Sequence, residues 1–316
     1  MHKPFIFPLC LVTCLGLVTC LAAGSLKADD SVAALGAGGI ELLQSEDISM
    51  REQDLVLSAR KVSTRFVFRN ESKADIKTLV AFVMPDIMPE DLAKRDPIPI
   101  KDQLGFTVHV DGKAVKYESD VRAIFGEKDI TDILKKHNIS PEQAGLSPEQ
   151  LTPEQRALLE KEGFQNEYRT DMAGWDTRVR LYWEQIFPAG KDVEIAHQYT
   201  PFLGSENISA STITNVPEFT DSFCMSETEK EDARRLLETR WARAYDLDYV
   251  LSTGSNWKGP IGRLTITIQK ATPQDVIATC LPGLKSDGDM AESVTLINAK
   301  PAEDIRVLFI SRDNAL

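Results

Sequence analysis

The segment VSTRFVFRN, residues 62–70, alternates two kinds of side chain. Val62, Thr64, Phe66 and Phe68 fall on one face of an extended chain, and mostly polar residues fall on the other. A period of two residues is typical of a β-strand that buries one of its faces. The segment therefore predicts a strand in a sheet that is covered on one side.

Further segments of the same kind predict a mainly β protein. The apolar run ADIKTLVAFVMP follows the first strand, so we expect residues 60–85 to form a hairpin. A second hairpin is predicted in GFTVHVDGKAVKYES, with Asp111-Gly112 as its two-residue turn, and a third in TRVRLYWEQIFPAGKDVEIAHQYTP, with its turn at Pro188-Ala189-Gly190. Strands are also predicted near the end of the chain, in LDYVLST, GRLTITIQK, ESVTLIN and DIRVLFIS.

Two stretches interrupt the strands and predict helices. In residues 129–163 the pattern Ser/Thr-Pro-Glu-Gln occurs three times, and each copy has the hydroxyl cap, first-turn proline and returning glutamine of a helix start. A capping box that begins at Ser226 predicts a second helix over about residues 227–244. The predicted fold class is mainly β (α+β), an antiparallel β-sandwich-like architecture with a small helical insertion and this second helix.

The first 28 residues have the order of a signal peptide: a short cationic start, an apolar run and small residues before Ala28. Two prolines and several small or polar residues interrupt the run, which argues against a transmembrane helix. A lipid anchor on Cys20 is the alternative, but threonine is an unusual residue before such a cysteine. We expect a single β-rich domain over residues 29–316, exported to the periplasm or, in a bacterium with one membrane, to the exterior.

Removal of this segment changes the cysteine count and the charge. Cys10, Cys14 and Cys20 are lost, and Cys224 and Cys280 remain, so we predict that these two form one disulfide in the exported chain. Two lysines are lost as well, which takes the net charge from −12 to −14. Such an acidic protein is not expected to bind nucleic acid or an anionic membrane surface.

Several longer stretches resemble a known family. They are GAGGIELLQSEDISMREQDLVLS, FVFRNESKADIKTLVAFVMPDI, YWEQIFPAGKDVEIAHQYTP, YVLSTGSNWKGPIGR and the last strand. Together they resemble the bacterial exported family catalogued as domain of unknown function 4424, over nearly the whole chain after residue 28. The resemblance implies export and a β-rich fold, and it implies no particular activity. A weaker similarity, to β-sandwich modules of secreted adhesion-type proteins, concerns the architecture alone.

No stretch of the sequence carries a recognised catalytic motif. The histidines outside the first 28 residues have no metal-ligand spacing, and the G-x-S-x-G pattern of serine hydrolases is missing. His197 shares the parity of its apolar neighbours in a predicted strand, which favours a structural role; a catalytic or metal role is the alternative. The glycines of residues 36–39 are interpreted as a flexible lead-in. We predict no cofactor and no metal ion.

The loop STGSNWKGPIGR, residues 252–263, combines an aromatic residue with two basic residues between two predicted strands. One interpretation is a tight loop whose Trp257 covers the end of the sandwich. The other is a recognition loop in which Trp257, Lys258 and Arg263 bind a partner, since aromatic and basic loop residues often anchor partners.

The function predicted from the sequence is that of a non-enzymatic exported protein that binds or scaffolds an envelope protein or a polysaccharide. Two alternatives remain open, an unrecognised periplasmic hydrolase and a carrier of an apolar ligand between the sheets. A cleft with paired acids, or a buried His197 beside a carboxylate, would favour the hydrolase. A closed core with an exposed aromatic patch would favour binding. The sequence predicts no oligomeric state.

Overall fold

The computed structural model describes residues 31–36, 39–93, 99–165, 173–206, 208–238 and 242–312. The predicted signal peptide, residues 1–28, lies outside the described residues. The β-strands, in chain order, are β1 (Ser31–Gly36), β2 (Gly39–Leu43), β3 (Ile48–Leu57), β4 (Val62–Asn70), β5 (Ile76–Val83), β6 (Thr107–Val110), β7 (Lys113–Ala114), β8 (Glu118–Phe125), β9 (Lys128–Asp129), β10 (Asp176–Phe187), β11 (Asp192–Tyr199), β12 (Gly204–Glu206), β13 (Ala242–Tyr249), β14 (Ile261–Gln269), β15 (Val276–Ala278), β16 (Lys285–Ser286), β17 (Ala291–Ala299) and β18 (Ile305–Arg312). The α-helices are α1 (Pro89–Ala93), α2 (Ile100–Leu104), α3 (Thr131–Lys136), α4 (Pro153–Glu162), α5 (Ala210–Asn215), α6 (Pro217–Ser222) and α7 (Glu227–Leu237).

The strands form three sheets, which confirms the mainly β prediction. The six-stranded sheet has the order β2-β1-β5-β10-β8-β9, the eight-stranded sheet β16-β17-β14-β3-β4-β11-β6-β7, and the four-stranded sheet β12-β13-β18-β15. Among the described strands the pairs are antiparallel, except that β14 runs parallel to β3.

The six-stranded and eight-stranded sheets pack face to face as a sandwich. The Phe82 ring on β5 lies 4.4 Å from the His197 ring on β11, and the Phe68 ring on β4 lies 5.9 Å from the Phe187 ring on β10. Strand β4 alternates as its sequence predicts, with Phe66 and Phe68 fully buried in this core. The same core also includes side chains of the four-stranded sheet.

Two of the predicted hairpins are wrong because their strands belong to different sheets. Strand β4 pairs with β3 and β11, whereas β5 pairs with β1 and β10. The chain therefore crosses between the sheets after Asn70, and it crosses again between β10 and β11. The buried Asn70 side chain joins the two crossings, since its Nδ2 donates to the carbonyl oxygens of Ala74 (2.8 Å) and Phe187 (2.7 Å). An alternating pattern predicts a strand but does not say which sheet receives it.

The Asp111-Gly112 hairpin and the helical insertion are confirmed. Val110 pairs with Lys113, and the two turn residues both have positive φ, as a type I′ turn requires. Within residues 129–163, the third Ser/Thr-Pro-Glu-Gln copy opens helix α4, whereas the first two open single 3-10 turns. The capping pattern thus sets where a helical turn starts, and it does not set how long the helix becomes.

The second predicted helix is shorter than expected. Helix α7 ends at Leu237, and residues 242–249 form β13 along the full length of β18, instead of the last helical turns that were predicted to reach residue 244. Backbone pairing with β18 stabilises the extended form of this segment. One face of the four-stranded sheet packs against α7 through Ala233 and Leu236, and the other face packs into the main core.

The interpretation of the glycines in residues 36–39 as a flexible lead-in is also corrected. Gly36 and Gly39 are paired at the closed end of the hairpin β1–β2, with residues 37–38 outside the described part. The backbone N–H of Ile40 donates to Asp120 (3.1 Å), and Arg180 donates to the Ile40 carbonyl oxygen. These contacts fix the hairpin on the six-stranded sheet. Among the described helices, none has the length and hydrophobicity of a membrane span.

Candidate functional site

Trp257 lies inside the protein. Its side chain is 3% exposed, and its ring lies 4.4 Å from the Phe68 ring and 6.1 Å from the Phe187 ring. The interpretation of Trp257 as a surface anchor is therefore wrong, because an indole packed between two core rings presents no area to a partner. The loop instead covers the end of the sandwich. The backbone N–H of Lys258 donates to Ile48, while the Lys258 residue is exposed.

Arg263 lies on the outer face of the eight-stranded sheet, in a network of ion pairs. Its Nη atoms donate to Asp54 and Glu52, each at 2.9 Å. Arg65 contacts the same two carboxylates and also Glu194, at 2.8 Å. Hydrogen bonds from Arg263 and Arg65 lower the pKa of Glu52. The structure thus separates Arg263 from the buried Trp257, and binding of an envelope protein or polysaccharide through Lys258 and Arg263 stays a prediction.

His197 is buried among aromatic rings. It is 3% exposed, and its ring centroid lies 5.4, 4.4 and 5.3 Å from those of Phe66, Phe82 and Phe106. Such surroundings favour the structural role expected from the sequence.

The predicted disulfide between Cys224 and Cys280 is confirmed. The two Cα atoms are 4.9 Å apart, and the bond links the segment after α6 to the segment after β15. The 56-residue interval that it closes includes α7 and β13. The bond therefore ties the helices to the sheet on which they pack.

A concave site lies where the four-stranded sheet meets the sandwich, and we call it the junction cleft. It has two lobes, of about 270 and 390 Å³. The larger volume falls within the range of small-molecule sites. Both lobes share Met84, Pro85, Asp86, Asp248 and Arg306.

The first lobe combines carboxylates with an apolar wall, and we call it the acidic lobe. Its carboxylates are Asp86, Glu90, Asp91, Asp246 and Asp248. Its apolar and aromatic lining is Met84, Pro85, Ile87, Met88, Tyr199, Pro201 and Phe202. Arg306 is the cation among its lining residues. The lobe therefore suits a ligand that has both a positive charge and an apolar part.

Asp246 has one carboxylate oxygen paired and one unpaired. Oδ2 accepts a hydrogen bond from Arg306 at 2.9 Å. Oδ1 is buried and has no hydrogen-bond partner among the residues that the structure describes. It lies against Gly204, where a Cβ atom would overlap it. The glycine thus makes room for the carboxylate, whose Oδ1 is covered by the protein.

The pKa values of two carboxyl groups near the acidic lobe are raised, in part by the negative charges around them. Burial, and then the neighbouring Asp246 carboxylate, raises the pKa of Asp248. Burial, and then the charges of Asp86 and Glu90, raises the pKa of Asp176 at the start of β10. The Asp248 side chain is 54% exposed, so solvent screens part of these effects. Both groups would ionise more easily with a cation in the lobe.

The second lobe holds both signs of charge, and we call it the mixed-charge lobe. It is lined by three arginines, Arg178, Arg180 and Arg306, and by three carboxylates, Asp86, Asp248 and Asp304. Arg178 forms a two-pronged pair with Asp86, at 2.9 and 2.7 Å. Arg180 is only 8% exposed; one Nη donates to Ile40, and its buried Nε–H has no partner within the described ranges. Burial, and then the positive charge of Arg178, lowers the pKa of Arg180. Both unpaired atoms, Nε of Arg180 and Oδ1 of Asp246, are therefore covered by the protein.

Sequence reasoning missed this cleft because distant segments form it. Its residues come from the end of β5 with α1, from β10, from the connection to β12, and from β13 and β18. The one local signal is MPDIMPED, residues 84–91, where acidic and apolar residues follow a strand. In the described residues, no group of three or more His, Cys, Asp or Glu side chains is arranged to hold a metal ion.

The fold and the cleft define a class: a mainly β protein in which a third sheet closes one side of a sandwich and leaves a two-lobed charged site. The chain belongs to the family described as Domain of unknown function (DUF4424), whose model matches residues 28–308. Among curated proteins, no sequence match was found.

Solved structures show distant similarity. A proposed nutrient binding protein from Legionella pneumophila is similar at 15% identity, over 89% of this chain and 72% of that chain, with a TM-score of 0.46. An M1 zinc metallopeptidase from Deinococcus radiodurans is similar at 8% identity, over 84% of this chain and 43% of that chain, with TM-scores of 0.30 and 0.28 for two of its structures. The chain thus spans less than half of the peptidase. TM-scores below 0.5 support no statement about activity.

Proposed function

We propose that the protein is a non-enzymatic binding protein of the bacterial cell envelope, and that its junction cleft binds a small organic cation. Export is supported by the signal-peptide pattern of residues 1–28. The binding role is supported by the acidic lobe, which is concave, partly apolar and rich in carboxylates.

The observation that carries the proposal is the group of carboxylates that lines the acidic lobe beside apolar side chains. Among them, the Asp248 side chain is 54% exposed and open to a ligand. An ammonium N–H offers a charge-assisted hydrogen bond to a carboxylate. The combined charge of the carboxylates adds attraction that acts before contact is made.

An organic cation fits the lobe better than a metal ion does. The carboxylates of the lobe do not converge as a set of metal ligands in the described structure. The apolar side chains Met84, Ile87 and Phe202 line the same space and could contact a hydrocarbon chain. We therefore take an alkylammonium ion as the simplest probe of the site.

A hydrolase is the second candidate, because Asp246 and Asp248 are two positions apart on β13 and share one face. The raised pKa of Asp248 is a property of a general acid. However, Arg306 contacts both carboxylates, at 2.9 and 3.7 Å. The guanidinium thus occupies the space between the acids, where a scissile bond would have to lie. This arrangement favours binding over hydrolysis.

A carrier of an apolar ligand is the third candidate. A groove of about 360 Å³ beside Cys280 is lined by Leu251, Leu264, Leu281 and Leu296. An uncharged alcohol tests this candidate in the same experiment as the cation.

Calorimetric titration of the disulfide-bonded protein with n-hexylammonium and with 1-hexanol tests the proposal. We expect n-hexylammonium to bind at least about tenfold more tightly, since only the cation forms the charge-assisted bond. Asp248→Asn, at the exposed carboxylate of the lobe, should remove part of this difference. Glu184→Gln is the matched control, because it makes the same charge change at a carboxylate that is 68% exposed and paired with Lys77 outside the cleft.

Equal affinities for the two probes would contradict the proposal, and so would an Asp248→Asn variant that binds n-hexylammonium as tightly as the parent protein. Tighter binding of 1-hexanol would favour the apolar-ligand carrier. Hydrolysis of a nitrophenyl glycoside that is lost in Asp248→Asn would favour the hydrolase.

A further inference from the structure

We infer that the open edge of strand β17, residues 295–297, binds an extended segment of a partner protein, which pairs with this edge as a further strand of the eight-stranded sheet. The segment has an apolar side chain at its centre and carboxylates at its ends. The inference does not rest on the cation site in the acidic lobe.

The edge is open because its neighbour, strand β16, is only two residues long. The backbone N–H of Asp287, just after β16, donates to the Ala291 carbonyl oxygen at 2.8 Å, so Ala291 faces β16. Every second residue of β17 faces the same way, which includes Thr295 and Ile297. Strand β16 does not extend to their level, and no other described strand pairs with this side of β17. The backbone groups of Thr295 and Ile297 are therefore available to another chain.

The side chains along this edge are accessible as well. Ile297 is 66% exposed, and Thr295 is also exposed. An unpaired edge with an exposed β-branched apolar residue is a place where an extended chain can add as a strand. A partner strand would cover Ile297 and remove its apolar surface from water.

An apolar groove of about 360 Å³ opens beside the inner face of β17, and its lining includes Leu264, Leu281 and Leu296. Leu296 lies between Thr295 and Ile297 and has its side chain on the other face of the strand. In an antiparallel pair, directly opposite residues have their side chains on the same face. The partner residue opposite Leu296 therefore points toward the groove, and its two neighbours lie beside Thr295 and Ile297. This arrangement predicts an apolar residue at the centre of the bound segment.

Two lysines flank the open edge. Lys285 lies opposite Ser293, and Lys300 follows the last residue of β17. Both are exposed, and within the described ranges neither forms an ion pair. Lysines at a sheet edge oppose pairing with a neutral or basic strand, which limits aggregation. They leave the edge suited to a segment that has a carboxylate at each end.

The other charged residues that line the groove are Glu303, Asp304 and Arg306. Asp304 accepts two hydrogen bonds from backbone N–H groups, and Arg306 pairs with Asp246 at 2.9 Å. Glu303 is exposed and reduces the attraction at the end of the edge where Lys300 lies. We therefore expect the charges of the segment to have a moderate effect on affinity, and its backbone pairing to have a larger one.

The test follows the fluorescence anisotropy of a fluorescein-labelled peptide, Asp-Ser-Val-Leu-Thr-Ser-Asp, as the disulfide-bonded protein is added. The leucine of the peptide is placed to enter the groove, and its valine and threonine are placed to pair with Ile297 and Thr295. Replacement of the leucine by serine should weaken binding at least about tenfold, because a buried apolar side chain is lost. Replacement of both aspartates by lysine should weaken binding roughly fivefold.

Two methylated peptides test the strand pairing itself. In an antiparallel ladder, the residue opposite Thr295 donates its N–H to β17, whereas the N–H of the residue opposite Leu296 points away from β17. N-methylation of the peptide's threonine should therefore weaken binding at least about tenfold. N-methylation of its leucine is the matched control and should have a much smaller effect.

Two variants assign the binding to β17. Thr295→Pro removes an N–H that faces the open edge, a position at which sheets tolerate proline, so it should weaken binding at least about tenfold with little change in melting temperature. The double variant Lys285→Glu with Lys300→Glu should bind the lysine-ended peptide more tightly than the aspartate-ended one. Lys113→Glu is the control, because Lys113 is exposed on β7 at the opposite edge of the same sheet. The peptide comparisons on the parent protein need no variant, so the test stands even if Thr295→Pro does not fold.

Four outcomes would overturn the inference. Equal binding of the two methylated peptides would exclude the strand pairing. Equal binding of the aspartate-ended and lysine-ended peptides to the parent protein would exclude an acidic partner. No binding of the aspartate-ended peptide at millimolar protein concentration would exclude the site. A dimer in sedimentation velocity that Thr295→Pro dissociates would assign the edge to a second copy of this chain instead.

Discussion

Replacement of Trp257 by alanine gives the sharpest test of how the loop 252–263 is used. The indole is 3% exposed and packs against Phe68, at 4.4 Å between ring centroids, and against Phe187, at 6.1 Å. Because the side chain is part of the core, its removal leaves a cavity between the two sheets. A role at the surface would leave the stability of the protein unchanged.

The expected loss is about 4 kcal/mol of unfolding free energy. Truncation of a buried tryptophan costs about 3–5 kcal/mol through lost burial and the residual cavity. The aromatic contacts with Phe68 and Phe187 place Trp257 in the upper part of that range, since such pairs add about 0.5–1.5 kcal/mol. At about 2–4 °C for each kcal/mol in a domain of this size, the melting temperature should fall by roughly 10 °C.

Urea unfolding followed by far-ultraviolet circular dichroism measures this loss. The disulfide stays oxidised, and the midpoint should shift without a change in the slope. Lys258→Ala is the neighbouring control, because the residue is exposed and should change stability by no more than about 0.5 kcal/mol. Trp257→Phe should recover part of the loss. A loss below about 1 kcal/mol in Trp257→Ala would refute the assignment of this side chain to the core.

Three other perturbations have defined outcomes. Replacement of Cys224 and Cys280 by serine should lower the unfolding free energy by about 4 kcal/mol on the loop-entropy estimate for a 56-residue separation, as measured by urea unfolding against the parent protein; an unchanged midpoint would contradict it. Asn70→Ala should cost at least about 2 kcal/mol, because the buried amide donates to two carbonyl oxygens, and a smaller loss would show that the crossings hold without it. The raised pKa of Asp248 means that the folded state holds this proton more tightly than the unfolded state, so its contribution to stability falls as the pH rises above about 4. Asp248→Asn should therefore flatten the pH dependence of the melting temperature above about pH 4. An unchanged pH dependence would exclude the Asp248 carboxyl group as its cause.

Local sequence patterns predicted the features that depend on neighbouring residues. The alternation in residues 62–70 predicted a strand with one buried face, and Asp111-Gly112 predicted a hairpin turn. The capping residue Thr152 correctly marked the start of α4, and the cysteine count predicted the bond between Cys224 and Cys280. In the first three cases the physical cause lies within a few neighbouring residues. The disulfide follows from the presence of two cysteines after residue 28.

Features that depend on the pairing of strands distant in sequence could not be predicted from local patterns. Strands β4 and β5 follow one another closely but join different sheets, and nothing in their alternation distinguishes this from a hairpin. The end of α7 was misplaced for the same reason, since residues 242–249 are extended because β18 lies beside them. A partner strand sixty residues away leaves no trace in a local pattern.

Of the two interpretations of the loop 252–263, the structure supports the one in which Trp257 covers the end of the sandwich. Trp257, Lys258 and Arg263 are close in sequence, but Trp257 is buried, Lys258 is exposed and Arg263 is partly exposed. Trp257 enters the sandwich, and Arg263 pairs with Asp54 and Glu52 on the sheet face. Composition alone cannot distinguish an aromatic anchor from an aromatic core residue, because both bury a large apolar surface.

The position of the junction cleft follows from how the three sheets are assembled. Within each sheet the backbone groups are paired, and between the sheets most side chains are apolar, so charged side chains are costly in either place. The ends of β5, β10, β13 and β18 meet without a common ladder, and charged residues collect there. Most of these charges are paired across the junction, Arg178 with Asp86 and Arg306 with Asp246. The acidic lobe holds further carboxylates beside these pairs, among them Asp248, whose side chain is 54% exposed. Carboxylates that collect in a concave site with apolar walls are the reason to look for a small organic cation there.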